Sequence, residues 1–453
     1  MAVEPPAAPA AQPDETAPDD PGQAGRLRNA GAAARSAAAR ASARGQETTG
    51  WVTDRFESPL HDEWVASVLG VALGVAFGVC FLTGLVDYLA QHPPHWFHLP
   101  THPVDLYRVN EGIHVITGIA AIPLLLAKLW AVWPKLFAWP AVRSVAHALE
   151  RLSLVALVGG GLFQLFTGVL NIDYWYSPMP FFFPTAHFWG AWLVIGALVV
   201  HIGAKGATAV AAIAAGPADP HPVIAPGPAV AQPGTPVDPG AGGTPDGPAA
   251  APRPGLTRRG FVGVVFGAAG VLVLTVAGET VAPLRKLALL APRNPTVGPQ
   301  GIPVNQSAAQ AGVSTSAIDP SFTLAVTGNC ARPRSFTLAE LQALPQRQAG
   351  LPITCVEGWS ASAQWRGISL PALLGMVGAP GNATVRVESL ESADRLYSSS
   401  VVDAEHAADP DTLLALELNG EPLDIDHGYP VRLIAPDRPG ILQTKWVSTV
   451  VVL

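Results

Sequence analysis

The sequence predicts a multi-domain protein made of two unlike parts: an all-α bundle of four transmembrane helices with a fifth membrane anchor, and an α+β domain beyond it. Three observations carry this. Long apolar runs fill the first part of the 453-residue chain, of which 49% is hydrophobic and only 13% charged, against about 25% charged in soluble domains. A stretch with 12 Pro and 8 Gly, residues 216–256, divides those runs. Beyond Pro320 the composition is an ordinary soluble mixture with alternating strand and helix patterns. The net charge of −7, with no basic block, argues against nucleic acid as a partner.

Residues 1–55 open acidic and Pro-rich and continue as an Ala/Arg stretch, with no aromatic residue before Trp51. Such a segment cannot bury a core and is expected to be a disordered cytoplasmic tail. It has neither the short apolar core nor the cleavage site of a cleavable signal peptide. Residues 56–215 hold four apolar runs, near 65–89, 113–133, 152–172 and 187–213. Each approaches or exceeds the ~20 residues that cross a bilayer as a helix. Residues 216–256 read as an extended linker. Residues 257–283 contain a shorter, glycine-rich run from Phe261 to Gly278, the fifth anchor. Residues 284–318 are a connector, and 319–453 form the α+β domain.

Orientation follows from basic residues in the short loops. Arg26, Arg28, Arg35, Arg40, Arg44 and Arg55 precede the first run, Lys135, Arg143 and Arg151 flank the second loop, and Lys205 ends the fourth run. The first loop has only Arg108 and the third has none. The N-terminus is therefore expected in the cytoplasm, and five crossings of the cell (inner or plasma) membrane put the C-terminal domain outside. Tyr174, Trp175 and Tyr176, with Phe181 to Phe183, read as an aromatic belt at the outer interface. "LTRRGFVGVVFGAAG", with Arg258 and Arg259, resembles a twin-arginine export signal; an ordinary basic flank is the plainer alternative.

Ionisable residues inside a span are functional candidates. His61 opens the first run, His114 the second, and His187 and His201 lie on the fourth. The last two are 201 − 187 = 14 residues apart. That is roughly 21 Å and close to four turns, so both face one side at different depths. With the topology above, His114 lies level with His187 at the outer surface, and His61 level with His201 at the inner one. Two bis-histidine pairs would hold two b haems in a four-helix haem bundle; His147 is the rival to His61. The pattern resembles the cytochrome b membrane subunits of formate dehydrogenases and nickel–iron hydrogenases. The histidine-rich loop "HPPHWFHLPTH" is interrupted by proline in every metal-site register. It is expected to cover the outer haem or to dock the C-terminal domain.

In that domain "FTLAVTG", "TVRVESL", "PVRLIAP" and "WVSTVVVL" read as strands and "TLAELQAL" as a helix. Cys80, Cys330 and Cys355 are far apart and odd in number, so no disulfide framework is implied. A single working cysteine acts as thiolate or metal ligand. Cys355, in "PITCVEGWSASAQWRGISL", ends a strand before an acidic turn. A second segment, "HGYPVRLIAPDRPGILQTKWV", arrays His427, Arg432 and Lys445 around glycine and proline turns. From the residues alone, Cys355 could be a buried structural thiol and the cations ordinary surface groups. Together they suit a soft metal on a phosphate-bearing organic cofactor.

These two segments resemble the molybdopterin-binding domain of the sulfite oxidase family, most of all its periplasmic methionine-sulfoxide reductase branch. The resemblance implies that Cys355 ligates molybdenum. It implies that His427, Arg432 and Lys445 contact the pterin and its phosphate, and that Gly428 and Gly440 allow close backbone approach. Asn305, in "PVNQSA", is expected nearby, and Cys330 matches no motif. The family's second lysine is absent, with Ile441, Leu442 and Gln443 in its place, and Val356 to Ser360 contain no oxyanion-binding arginine.

The expected function joins both parts. A molybdenum-dependent oxidoreductase would exchange electrons between an extracytoplasmic substrate and the membrane quinone pool through two b haems. The missing arginines favour reduction of an S- or N-oxide, methionine sulfoxide included. A quinone-reducing dehydrogenase would use the same parts; a haem-bearing conduit with a non-catalytic outer binding module is the rival from another class.

Overall fold

The computed structural model describes residues 60–136, 144–217 and 256–453, with a few isolated positions between 33 and 58. The expected tail therefore lies almost wholly outside the described residues, as does the linker from 218 to 255.

Five helices are long and apolar enough to cross a membrane: α1 (Glu63–Gln91), α2 (Leu106–Leu136), α3 (Val145–Ile172), α4 (Phe183–Ala215) and α5 (Arg258–Ala277). Each matches an apolar run, but the starts differ for a physical reason. Asp62 caps α1 by accepting from Trp64 N at 2.8 Å and Val65 N at 3.3 Å. His61, expected to open the helix, therefore lies just ahead of its cap. Two polar turns with Tyr107, Arg108, Asn110 and Glu111 extend α2 beyond its apolar run. His114 thus sits 114 − 106 = 8 residues into the helix rather than at its opening. Thr257 caps α5 through Gly260 N at 3.1 Å, and Arg258 pairs with Asp62 at 3.2 Å. Val65, Leu69, Leu73 and Phe77 of α1 pack with Leu124 and Leu125 of α2, Leu198 of α4 and Val265 of α5. Outward-facing Val155, Val199 and Val210 are 64–70% exposed, as a lipid-facing surface requires.

After the last helix come a short α6 (Ala308–Ala311), β1 (Thr323–Gly328), β2 (Arg334–Thr337), α7 (Leu338–Ala343), β3 (Arg347–Thr354) and β4 (Ser360–Ser369). Then follow α8 (Leu370–Val377), β5 (Val385–Ser389), β6 (Ser399–Val402), α9 (Ala404–Ala408), β7 (Leu413–Leu418), β8 (Glu421–Pro422), β9 (Arg432–Ile434) and β10 (Val447–Val452). Ser307 with Gln310 and Thr337 with Glu340 form capping boxes that start α6 and α7.

The strands make two sheets. One has the order β2-β1-β10-β5-β6, with β1 and β10 parallel; the other runs β3-β4-β7-β8, with β9 also on β7. Leu324, Val326, Val387 and Val450 from the first sheet meet Ile368, Leu414 and Leu433 from the second, with Leu373 and Leu374 of α8. Burying each such side chain contributes ~1.5–3 kcal/mol. The opposite face of the second sheet is also covered, with Ile302 packing on the cluster of Leu351, Ile353 and Trp365. Pairing with β4, from Arg347 opposite Gly367 to Thr354 opposite Ser360, sets the register of β3, just after which Cys355 sits.

Candidate active site

The turn after β3 is built by the β3–β4 hairpin, whose last pair is Thr354 opposite Ser360. Cys355 N donates to Trp359 O at 2.9 Å and Gly358 N to Cys355 O at 3.0 Å, with Gly358 at φ +91°, a conformation glycine adopts without strain. Cys355 is 7% exposed and lines a cavity of about 840 Å³. Asn305 Nδ2 donates to its Sγ at 2.6 Å. The connector thus reaches the cysteine, as the sequence anticipated. Burial, and then Glu357, push the Cys355 thiol well up, so a thiolate here needs a cation bound to it.

Gly440 packs so closely on the end of β3 that a Cβ would lie 2.8 Å from Thr354 O. Arg432, Gly440 and Lys445 line the same cavity as Cys355. Burial pulls Arg432 down to about 10 and, with Arg432 next to it, Lys445 down to about 7. Lys445 Nζ donates to Gln306 O at 2.9 Å and Asp426 O at 2.7 Å. His427 and Gly428 are placed differently. The His427 ring is buried and donates from Nε2 to Pro299 O at 2.8 Å, while its carbonyl accepts from Arg432 Nη1 at 3.0 Å. Gly428, at φ +108°, is wedged between Arg432 and Lys445, whose Cβ atoms lie 3.1–3.3 Å from where its own would be. Neither lines the cavity; both hold the two cations that do. Where the family lysine is missing, Gln443 accepts from Ala435 N at 2.8 Å and donates to Ala435 O and Arg438 O, which staples the loop.

Arg432 Nε, Asn305 Oδ1 and Trp359 Nε1 are buried with no hydrogen-bond partner among the described residues. Such groups are rare in a finished interior. A soft thiol, two buried cations and orphaned donors around one cavity fit a metal carried on an anionic organic cofactor.

The cavity continues into the helices, where its lining includes His114 and His187. Their ring centroids are 6.4 Å apart. His114 Nδ1 lies 2.8 Å from Cys80 O, a carbonyl that can only accept. His187 Nδ1 lies 2.8 Å from Thr167 Oγ1, whose own proton goes to Phe163 O at 2.7 Å. Both rings therefore carry hydrogen on Nδ1, which leaves the Nε2 lone pair for a metal. A Cβ on Gly84 would lie 2.7 Å from the His114 ring, so that ring packs on bare helix backbone. At the other end of the bundle, His61 Nε2 and His201 Nδ1 are buried with no hydrogen-bond partner among the described residues, and the His61 and Trp130 ring centroids are 5.6 Å apart.

The two parts meet at the loops. Arg108 Nη2 donates to Thr280 O at 2.9 Å, Asn171 Nδ2 to Val356 O at 2.8 Å and Thr280 Oγ1 to Gly358 O at 2.6 Å. Asp437 Oδ1 accepts from Tyr107 N at 2.5 Å. His102 of the histidine-rich loop lies 3.4 Å from Asp409, a contact that fits docking, one of the two roles expected for that loop. The aromatic belt needs correction: Trp175, Phe181 and Phe182 are 52–58% exposed, but Phe183 is fully buried and Tyr174 and Tyr176 turn into the cavity. Sequence reasoning also missed Thr167, Asn171, Asp437 and the buried carboxyls Asp87, Glu111 and Glu279. An acid inside or beside a span was the available cue for these carboxyls; Thr167 and Asn171 had none, because their partners are far away in the chain.

A family model described as "Oxidoreductase molybdopterin binding domain" matches residues 311–453. A chain of Azospira oryzae described as a protein-methionine-sulfoxide reductase subunit, YedZ1, is 35% identical over 132 residues, 29% of this chain and 49% of its own length. Sulfite oxidase of Arabidopsis thaliana is 28% identical over 166 residues, 29% of this chain and 42% of that protein. Nitrate reductase [NADH] 1 of Nicotiana tabacum is 32% identical over 161 residues, 29% of this chain and 18% of that protein. The chain thus spans about half, or less, of the length of these relatives. Residues 311–453, which carry Cys355 and the cations around it, are a molybdopterin-binding oxidoreductase domain of the sulfite-oxidase-like kind.

Proposed function

We propose that the chain is a membrane-bound molybdenum-dependent oxidoreductase that exchanges electrons between an extracytoplasmic S- or N-oxide and membrane quinone through two b haems. The observation that carries this reading is the single cavity, lined by Cys355 and buried cations at one end and by His114 and His187 at the other. When bound, molybdenum on its pterin supplies two-electron oxygen-atom transfer and haem b supplies one-electron carriage.

The chain's residues divide the remaining work. Cys355 holds the metal through sulfur, and Asn305 orients that sulfur. Arg432 and Lys445 hold the pterin and its phosphate, Gly440 lets the backbone approach, and His427 and Gly428 fix the two cations. His114 and His187 would hold the outer haem through imidazole nitrogen, their ring centroids being 6.4 Å apart. His61 and His201 hold the inner one. Val356 and Gly358, just after Cys355, touch Asn171 and Val115 beside the outer pair, which supports a short electron path. Arg258 and Arg259 support export of a folded outer domain, and the basic loops support a cytoplasmic N-terminus. The named domain boundaries, 56–215, 257–283, 284–318 and 319–453, belong to the same reading.

The test is Cys355→Ala in the full chain. Stoichiometric molybdenum should be lost while the haem spectrum stays. A wild-type protein without molybdenum, from a host that makes the cofactor, would return the outer domain to a binding module. Adding a sulfoxide to the reduced protein should oxidise its haem; haem reduction by substrate would make the chain a dehydrogenase.

A further inference from the structure

Three neighbouring residues of the loop between α3 and α4 point in different directions. Trp175 is 53% exposed and does not line the cavity, whereas Tyr174 and Tyr176 do. Tyr174 has a left-handed backbone, φ +55°. Its hydroxyl donates to Asn305 O at 3.1 Å, on the residue whose side chain reaches Cys355. Arg293 lies over its ring, 5.1 Å from the centroid. Tyr176 donates to Asn171 Oδ1 at 2.9 Å and stacks on Phe183 at 5.3 Å. From the α+β domain, Tyr397 lines the same cavity, and none of the described residues hydrogen-bonds its hydroxyl.

We propose that Tyr174 and Tyr176 form one wall of the substrate subsite beside Cys355, with Tyr397 as the other, and that this wall admits neutral oxides with apolar flanks and excludes inorganic oxyanions. The proposal deepens the molybdenum reading and rests on it. Because the hydroxyls of Tyr174 and Tyr176 are already committed, they offer ring surface, which favours sulfur and methyl groups. Burial pushes Tyr174 and Tyr176 up and Tyr397 up to about 12, so the walls are uncharged at neutral pH. Among the described residues lining the cavity, Arg432 and Lys445 are the only arginine and lysine. Both lie on the cofactor side, where Arg432 Nη1 and Lys445 Nζ donate to backbone carbonyls and the unpaired Arg432 Nε is left for the cofactor, while Arg293 is held over the Tyr174 ring outside the lining. An oxyanion would lose its hydration without gaining a guanidinium fork, and an unpaired buried charge is strongly disfavoured. Tyr397 retains one hydroxyl to donate to the oxygen of a neutral oxide. The membrane part therefore shapes what the molybdenum part accepts.

The test compares Tyr176→Leu with Trp175→Leu in the full-length protein. Calorimetric binding of dimethyl sulfone, which resembles a sulfoxide but serves as a pure binding probe, is read alongside KM and kcat for dimethyl sulfoxide. Tyr176→Leu should weaken sulfone binding about ten-fold, equivalent to ~1.4 kcal/mol, and Trp175→Leu should not. KM should rise with kcat held within about two-fold, the pattern of lost ground-state binding. Should Tyr176→Leu fail to accumulate, Tyr174→Leu, which removes the other ring of the same wall, carries the same expectation of about ten-fold weaker sulfone binding, ~1.4 kcal/mol. Molybdenum analysis of each preparation separates the two claims. Wild-type protein without molybdenum sinks the functional reading. Molybdenum-replete variants that bind the sulfone like wild type, or a Trp175 variant equally impaired, sink the tyrosine wall.

Discussion

The two histidine pairs stand in contrast. At the end near the α+β domain, His114 and His187 face each other with both Nδ1 atoms anchored, one to Cys80 O and one to Thr167. At the far end, His61 precedes its helix, and His61 Nε2 and His201 Nδ1 are buried with no hydrogen-bond partner among the described residues. The first pair has its tautomers and ring planes set before any metal arrives. The second leaves two polar atoms unpaired among the described residues, and an unpaired buried polar group costs ~1–3 kcal/mol. If both pairs hold haem as proposed, one end is preorganised for it and the other depends on it.

Four measurements break or sharpen the contrast. The largest effect is expected from His187→Ala, which should halve the haem absorbance per chain, with His201→Ala doing the same at the other end. Full haem content in either variant would remove that pair from consideration. Next, His61→Ala should lose the inner haem while His147→Ala keeps it; the reverse result would transfer the ligand role to His147. Thr167→Val should retain the outer haem but bind it ~10–100-fold less tightly, as loss of an outer-sphere anchor does. An unchanged affinity would mean that anchoring does not distinguish the two ends.

The smallest effect concerns the junction rather than either pair. Burial, and then Glu357, push the Glu279 carboxyl up to about 8, above the usual ~4.3. A raised carboxyl favours the fold when protonated, so its contribution is full below about pH 4 and fades as pH climbs through 8. The outer domain should melt lower at pH 9 than at pH 6, and Glu279→Gln should flatten that slope. An equally steep slope in the variant would assign the dependence to other groups.

The helices were legible because a span needs an unbroken apolar run, and that requirement is local. Their ends were not, because Asp62 and the polar turns of Tyr107 to Glu111 obey capping and docking rather than hydrophobicity. In the α+β domain, β1, β5, β9, β10 and α7 were read from alternation and capping residues. The end of β3 was read as the strand that Cys355 closes, but β4 was passed over despite its alternation, and β7 because its near-continuous burial leaves no period to detect. Cys355, Arg432, Lys445 and Gly440 were singled out through a motif and Asn305 through its place in the connector, and all five line one cavity. His427 and Gly428, assigned to the cofactor by the same motif, do not line that cavity but support Arg432 and Lys445, a difference of one layer that spacing cannot resolve. Tyr174 and Tyr176 were given to lipid because aromatic residues at a span's edge ordinarily belong there; only the partner domain's position turns them inward.

The hydrogen bond from Tyr107 N to Asp437 has a consequence for biogenesis. The first turn of α2 takes its cap from a residue 330 positions later in the chain. During synthesis that turn must therefore wait, frayed and hydrated, until the last domain has been made and delivered. A truncated chain ending after α5 should leave residues 100–110 open to protease, and protection of that segment would mark the moment at which assembly is complete.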